Sequence, residues 1–189
     1  MGLDHNLTKK TYVKNWDHMK PEQRHQVTVL RAGKPVPHID PDKVAYIEED
    51  IIRWRKANHI HAWFVENVQD GNDNCAEYYV TVDDLKRLLD ICERIIEECP
   101  LVPGKVQNGS RMIAGGGFEP IMEDGMVMTN TEVARSLLPT AEGFFFGSTD
   151  YDQWYMRDVK HTAEELRKVV DAHDTGADGG ANYYYHSSW

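Results

Sequence analysis

The longest regular pattern of apolar positions in the chain runs from residue 40 to residue 71. Asp40 and Pro41 are typical of an N-cap and a first helical residue, and Gly71 is typical of the position after a helix. Between them, apolar residues recur every three or four positions. The stripe comprises Val44, Ile47, Ile51, Trp54, Val65 and Val68, with Asn58 and His61 in its middle. It predicts one unbroken helix over about residues 41–69 that carries an amide and an imidazole on its buried face.

Two further stripes predict long helices. Thr81, with Asp84 three residues later, forms a capping box ahead of a stripe that ends at Cys99. The sequence at 148–150 (Ser-Thr-Asp) is typical of the start of a third helix. The apolar face of that helix is predicted to contain Tyr155, Val159, Thr162, Leu166 and Val169. A shorter helix is predicted over 131–138, where Pro139 ends it.

Alternation of apolar and polar residues predicts strands elsewhere. Leu3 to Leu7 alternates at the start of the chain, Ala32-Gly33 is typical of a hairpin turn, and residues 77–81 and 143–147 are short and aromatic. The strands are spaced too irregularly for repeated βαβ units. The expected fold class is therefore α+β, a largely antiparallel sheet with three longer helices packed on one face, in a single domain over residues 1–189.

Two segments of this domain are predicted to be unusual. Residues 100–130 contain the turn pairs Asn108-Gly109 and Asp124-Gly125 and three consecutive glycines. They predict an irregular, hairpin-rich excursion that acts as a lid or as a contact in a homo-oligomer. The aromatic C-terminal segment 182–189 is expected to add an edge strand to its own sheet or to a partner.

Charge and composition exclude some classes of function. Lys and Arg number 21 against 31 Asp and Glu, a net charge of −10, which repels phosphate backbones and disfavours generic nucleic-acid binding. No apolar run is long enough to span a membrane, and no signal peptide is expected. The three cysteines lack C-x-x-C spacing and are predicted to be buried free thiols, so we expect a cytoplasmic protein.

The first candidate site lies on the predicted long helix. Its residues are Arg53, Trp54, Lys56, Asn58, His61 and Trp63. Asn58 and His61 would hydrogen-bond a ligand in a cleft, Trp54 would offer a stacking face, and the cations would offset negative charge. The alternative is a buried histidine satisfied by a neighbouring carbonyl, with the basic residues on a solvated face.

The second candidate is the segment 143–155, which leads into the third helix. A helix start offers backbone N–H groups and a positive dipole end to an anion, with Ser148, Thr149 and Tyr151 beside it. Asp150 and Asp152 already occupy that end, so a capped helix without a ligand is the alternative. The expected pocket lies between the Trp54–Trp63 segment and the start of the Asp150 helix.

A metal-dependent hydrolase is a further alternative. Its ligands would be His61, Asp70, Asp73, Asp150 and Asp152, provided that they converge in space. No Gly-x-Ser-x-Gly or activated cysteine is present, and no motif predicts a cofactor.

Four long motifs resemble a known family. They are M-G-L-D-x-x-L-x-K-K-T-Y-V, W-R-K-A-N-x-I-H-x-W-F-V, Q-D-G-x-D-x-C-x-E-Y-Y-V and L-L-P-T-x-x-G-F-F-F-G-S-T-D-Y-D. They resemble an uncharacterised family of small proteins carried mainly by tailed phages and prophages, over most of the chain outside 100–130. His5 departs from the pattern, since an apolar residue is expected there. The resemblance implies a phage setting and transfers no catalytic residue.

These observations lead to one main hypothesis and two alternatives. The main hypothesis is a non-enzymatic phage accessory protein in the host cytoplasm that binds, and so sequesters, a small anionic, nucleotide-like ligand to counter host defence. The alternatives are the metal-dependent hydrolase and a protein-interaction module that inhibits a host protein through the aromatic tail Tyr183–Trp189.

Overall fold

The computed structural model describes residues 2–143 and 145–189. Its strands are, in chain order, β1 (Asp4–Tyr12), β2 (Leu30–Arg31), β3 (Lys34–Pro35), β4 (Tyr46–Arg55), β5 (Tyr78–Val80), β6 (Leu101–Met112), β7 (Phe118–Met128) and β8 (Asn182–Ser188). Its helices are α1 (Asn58–Asn67), α2 (Val82–Glu98), α3 (Glu132–Leu137) and α4 (Gln153–Asp174). Short 3₁₀ turns span Pro21–Gln23 and Pro41–Lys43.

The central sheet has four antiparallel strands in the order β4-β1-β8-β5. The helices supply the rest of the core, and the predicted α+β class is confirmed. The capping box at Thr81 and Asp84 is present, and the predicted apolar face of α4 is buried along its length. The turn at Ala32-Gly33 and the short strand after residue 77 are also confirmed. The helical pattern succeeded because α2 and α4 each bury one face only.

The predicted helix over residues 41–69 is wrong. Asp40 caps only the 3₁₀ turn, accepting a hydrogen bond from the Asp42 amide at 3.2 Å. Residues 46–55 then form β4, paired with β1, and only 58–67 is helical. In this stretch Ile52 and Trp54 are buried and the flanking Arg53 and Arg55 are exposed, a period of two. Pairing with β1 satisfies the backbone groups on one side of β4, which is an edge strand of the sheet, and outweighs the three-and-four periodicity.

Two details around the start of α4 also differ from prediction. Among the described residues of the 143–147 stretch there is no strand, and Phe144 lies outside the described residues. The cap of α4 is Asp152, whose Oδ1 accepts hydrogen bonds from the amides of Trp154 (2.8 Å) and Tyr155 (3.2 Å). Ser148 instead closes a local turn, in which its Oγ accepts from the Asp150 amide.

The C-terminal segment lies inside the sheet. The prediction of an edge strand is wrong, because β8 pairs with β1 on one side and β5 on the other. Tyr183, Tyr185 and Ser187 point into the core and are buried. The aromatic tail therefore provides core side chains as well as two ladders of hydrogen bonds.

Residues 101–128 form one long hairpin, which we call the arm. The two turn pairs predicted there lie within its strands. The chain reverses instead at 113–117, where the Ile113 amide donates to the Gly117 carbonyl at 3.2 Å. The arm is thus a continuous two-stranded ribbon where several short hairpins were predicted.

No helix in residues 2–143 and 145–189 combines the length and the apolarity that crossing a bilayer requires.

Candidate functional site

A cleft of about 360 Å³ lies between the junction of β4 with α1 and the start of α4. We call it the α4 cleft. It lies between the two segments that the sequence pattern singled out. The side chains that give it chemical character are Arg55, Lys56, His59, Ser148, Trp154 and Arg157. Its volume is within the range of small-molecule sites.

Lys56 and Gly147, which both line the α4 cleft, are in close backbone contact. Lys56 adopts a positive φ of 62°, which ends β4 and turns the chain into α1. Gly147 has a φ of 101°, and a Cβ built on it would lie 2.7 Å from the Lys56 carbonyl oxygen. Only glycine allows this approach, so Gly147 determines how closely the 147–150 segment lies against Lys56.

Replacing Gly147 with alanine should therefore destabilise the fold and loosen the cleft. Gly176 is the matched control, because its φ is also positive, at 73°, and nothing lies within 4 Å of a Cβ there. We expect Gly176→Ala to cost about 1–2 kcal/mol in conformation. Gly147→Ala should cost about 1–3 kcal/mol more through steric overlap, measured by urea denaturation. Equal effects of the two substitutions would contradict the contact.

His59 forms part of the wall and is 3% exposed. Its ring centroid lies 4.1 Å from that of Tyr155. Its Nε2 is buried and has no hydrogen-bond partner within the described residues. Burial lowers the pKa of His59 to about 3, so the ring is neutral near pH 7. A neutral imidazole with an unused nitrogen can hydrogen-bond a polar group on a ligand.

Three cations border the cleft. Arg55 and Lys56 are exposed, and neither forms an ion pair with any residue of the described chain. Arg157 is paired with Asp158 at 3.0 Å, and its guanidinium lies 5.0 Å from the Trp154 ring centroid. Trp154 is 41% exposed. The cleft thus offers positive charge and an accessible aromatic ring.

Three carboxylates also line the cleft, and each has a partner within the protein. Asp150 accepts from the Ser148 hydroxyl at 2.9 Å, Asp152 caps α4, and Asp158 binds Arg157. Burial raises the pKa of both Asp152 and Asp158. The three carboxylates therefore bind groups of the protein itself and hold the residues of the cleft wall in place.

The alternative set of metal ligands does not converge. His61 and Asp73 are in contact at 3.1 Å, whereas Asp150 and Asp152 line the α4 cleft and Asp70 lies in an exposed turn after α1. Within the described residues, no three histidine, cysteine or acidic side chains are grouped as a metal site requires.

Asn58 binds the backbone of the segment that carries Ser148 to the cleft. Its side-chain amide donates to the carbonyls of Phe146 (3.2 Å) and Ser148 (2.8 Å) and accepts from the Ala141 amide (3.0 Å). It is 1% exposed. These bonds tie the 141–148 segment to the first turn of α1, so Asn58 holds the segment that carries Ser148.

His61 belongs to a separate buried chain of hydrogen bonds. Its Nε2 contacts Asp73 at 3.1 Å and its Nδ1 contacts the Tyr185 hydroxyl at 2.7 Å. That hydroxyl lies 3.0 Å from Nδ1 of His5, whose ring stacks on Trp54 at 5.0 Å between centroids. His5 stands where an apolar residue was expected, and here it gives Tyr185 a second polar partner. Both polar groups of the predicted stripe are therefore satisfied inside the protein.

The other predicted ligand-binding residues are distributed around the molecule. Trp54 is buried and donates to Thr162 at 2.8 Å, and Trp63 is buried. Arg53 lines a pit beside Asp4 and His186, and Arg53 and Trp54 also line a pocket of about 380 Å³ that shares Arg55 and Arg157 with the α4 cleft. Thr149 and Tyr151 line a pocket of about 290 Å³ at the base of the arm. Of the nine predicted ligand-binding residues, Lys56 and Ser148 line the α4 cleft.

Sequence reasoning missed Arg55, His59, Trp154 and Arg157. In β4, buried and exposed residues alternate, which leaves Arg55 exposed next to the buried Trp54. This alternation is visible in the sequence, but the helical prediction for the stretch obscures it. His59 carried no signal, because its surroundings come from α4, almost a hundred residues later.

Comparisons of the chain with protein-family models, with curated proteins and with solved structures find no match.

Proposed function

We propose that this chain is a phage-carried accessory protein of the host cytoplasm that binds a small anionic, nucleotide-like ligand in the α4 cleft. Binding would sequester the ligand and so counter a host defence that depends on it. The observation that carries the proposal is a cleft bordered by two unpaired cations, Arg55 and Lys56, whose wall includes His59, a buried imidazole with an unpartnered nitrogen.

The chemistry of the lining supports a nucleotide in particular. Arg55 and Lys56 suit a phosphate, because guanidinium and ammonium groups bind its oxygens with charge-assisted hydrogen bonds. Trp154 suits a base, because stacking on an aromatic ring is worth about 1–3 kcal/mol and every base has a π-face. A neutral His59 can then hydrogen-bond the base or the sugar without adding charge.

The positive side chains also locate the ligand on a chain that is otherwise acidic. With a net charge of −10, most of the surface repels an anion. Arg55 and Lys56 are adjacent in sequence at the junction of β4 and α1, so they place two cations without an ionic partner beside the cleft, whose three carboxylates have partners within the protein. A small anion fits this arrangement better than a nucleic acid, whose backbone would extend onto the acidic surface.

The test is a thermal-shift and calorimetric screen of the full chain. The probes are adenosine and guanosine mono- and triphosphates and cyclic dinucleotides, with phosphate and pyrophosphate as base-free controls. We expect at least one nucleotide to bind, and Arg55→Ala and Trp154→Ala each to weaken that binding by about tenfold or more. Arg31→Ala and Trp16→Ala remove an exposed residue of each type elsewhere and should leave binding unchanged.

Absence of a shift with every probe at saturating concentration would overturn the proposal. So would a nucleotide whose affinity is the same for the wild type, Arg55→Ala and Trp154→Ala, since it would bind elsewhere.

The alternative functions have less support. The hydrolase requires carboxylates and His61 to converge, and among the described residues they do not. A module that presents the tail 183–189 to a host protein would have to expose β8, which lies between two strands.

A further inference from the structure

Strand β4 forms one edge of the central sheet. The strand order is β4-β1-β8-β5, so β4 pairs with β1 on one side only. On its other side, no backbone hydrogen bond joins it to another segment of the described chain. The residues from Tyr46 to Asp50 are all exposed, so this edge is open to solvent. A ten-residue strand with a row of unpaired N–H and C=O groups is a template for a further strand.

The outward face of β4, which points away from the core, begins with acidic residues and ends with basic ones. At the end of the strand, Arg53 and Arg55 alternate with buried residues and therefore point outward. Arg53 lies opposite Asn6 of β1, and Asp50 lies opposite Thr8. Because Asn6 and Thr8 are two residues apart on β1, Arg53 and Asp50 share one face. The same alternation adds Glu48 to this face, which then reads acid, acid, base, base along the strand.

Three of these four charges have no ionic partner within the protein. Asp50, Arg53 and Arg55 are exposed and form no ion pair with any residue that the structure describes. The fourth, Glu48, lies 3.8 Å from Lys10. Reversing the direction of the strand reverses the order of the charges. The outward face of β4 is therefore complementary to a second, antiparallel copy of itself.

We propose that two copies of this chain pair through β4, antiparallel, about a twofold axis between residues 51 and 52. The two four-stranded sheets then form one continuous sheet. This register places Asp50 of each copy opposite Arg53 of the other, and Glu48 opposite Arg55. The twofold axis forms each pair twice and closes the assembly at a dimer. Opposite charges that face each other across two antiparallel strands stabilise the pairing, and like charges destabilise it.

The β-bulge in β4 fits a second copy better than a regular strand. Ile51 is the extra residue, because Ile52 lies opposite Leu7 of β1 and Asp50 lies opposite Thr8. A regular strand leaves Ile51 without an opposite residue, as β1 does. Two copies of β4 both shift at this point, so in the proposed register outward residues lie opposite outward residues on both sides of the bulge. A parallel copy in register would instead bring like charges together.

Sedimentation velocity of the purified full chain, from low micromolar concentrations upward, tests the inference through a charge swap. We expect a concentration-dependent dimer for the wild type. Asp50→Arg and Arg53→Asp each place like charges opposite each other and should raise the dissociation constant of the dimer by about tenfold or more. The double variant with both reversals restores opposite charges and should recover most of the wild-type affinity.

Asp17→Arg and Arg31→Asp are the matched controls. Both residues are exposed and form no ion pair among the described residues, and their reversal changes the net charge by the same amount. They should leave the dimer unchanged. Hydrogen exchange gives a second measurement on the wild type. Exchange in residues 46–55 should slow as the protein concentration rises, because the second copy binds the amides of the free edge.

A wild type that stays monomeric at every concentration would overturn the inference. A dimer of unchanged affinity in both single reversals, or a double variant no tighter than the single ones, would also contradict it. So would exchange in residues 46–55 that does not depend on concentration. Asp50 and Arg53 do not line the α4 cleft, so this experiment is independent of the nucleotide screen.

Discussion

Lowering the pH from about 7.5 to about 4.5 should reduce the free energy of unfolding by about 3 kcal/mol through His59 alone. His59 has a pKa of about 3 in the folded protein, against 6.5 for an unburied imidazole, and burial is the cause. Below pH 6.5 His59 becomes protonated in the unfolded chain, whereas in the folded chain it stays neutral until the pH approaches 3. The stabilising contribution is therefore complete above pH 6.5 and is lost progressively as the pH falls towards 3.

Other buried groups modify this pH dependence. Burial also lowers the pKa of His5, so its protonation on unfolding adds to the loss. The raised pKa values of Asp152 and Asp158 act in the opposite direction, because their folded forms bind protons first as the pH falls. The effect of His59 must therefore be measured as a difference between variants.

The informative variant is His59→Phe, which keeps an aromatic ring against Tyr155 and removes the titrating group. Urea denaturation at a series of pH values should show a profile flatter by about 3 kcal/mol between the two limits. Identical profiles for wild type and His59→Phe would show that His59 is accessible to protons in the fold.

Replacing Asn58 with alanine should destabilise the protein by about 2–4 kcal/mol. The substitution removes three hydrogen bonds to the backbone at Ala141, Phe146 and Ser148 and leaves a cavity at a position that is 1% exposed. Hydrogen exchange should accelerate selectively in residues 139–150, because Asn58 is what ties this segment to α1. Binding of the proposed ligand should weaken in parallel, since the same segment carries Ser148.

Asn67→Ala is the matched control for Asn58→Ala. The Asn67 amide also donates to a carbonyl, that of Trp63 at 2.9 Å, but this partner lies one turn earlier on the same helix. Its loss should cost less than about 1 kcal/mol and leave exchange in 139–150 unchanged. If the two variants lose equal stability, Asn58 does not anchor the segment.

The candidate site was predictable in its location and only partly in its residues. The sequence pattern predicts a pocket between the Trp54–Trp63 segment and the start of the Asp150 helix, and the α4 cleft lies there. The same pattern predicts that Asn58 and His61 face that pocket. Instead, the chain bends at Lys56, and both side chains bind other parts of the protein. Partners such as Tyr185 and Phe146 lie about ninety or more residues away, so no local pattern could reveal them.

By itself, the sequence determined the helices that bury a single face. The capping box and stripe of α2 and the buried face of α4 are legible because periodicity and local capping act within a few residues, although the cap of α4 is Asp152 and not the predicted segment 148–150. The acidic net charge and the adjacency of Arg55 and Lys56 are likewise properties of composition and order.

Only the tertiary structure decided the conformation of residues 41–57, the interior position of β8 and the partners of the buried polar groups. Residues 46–55 have a mixed periodicity, and the hydrogen bonds of β1 select the strand over the helix. β8 becomes an interior strand because β1 and β5 both pair with it. In each case the deciding free energy comes from contacts between residues far apart in the chain, which a local pattern does not contain.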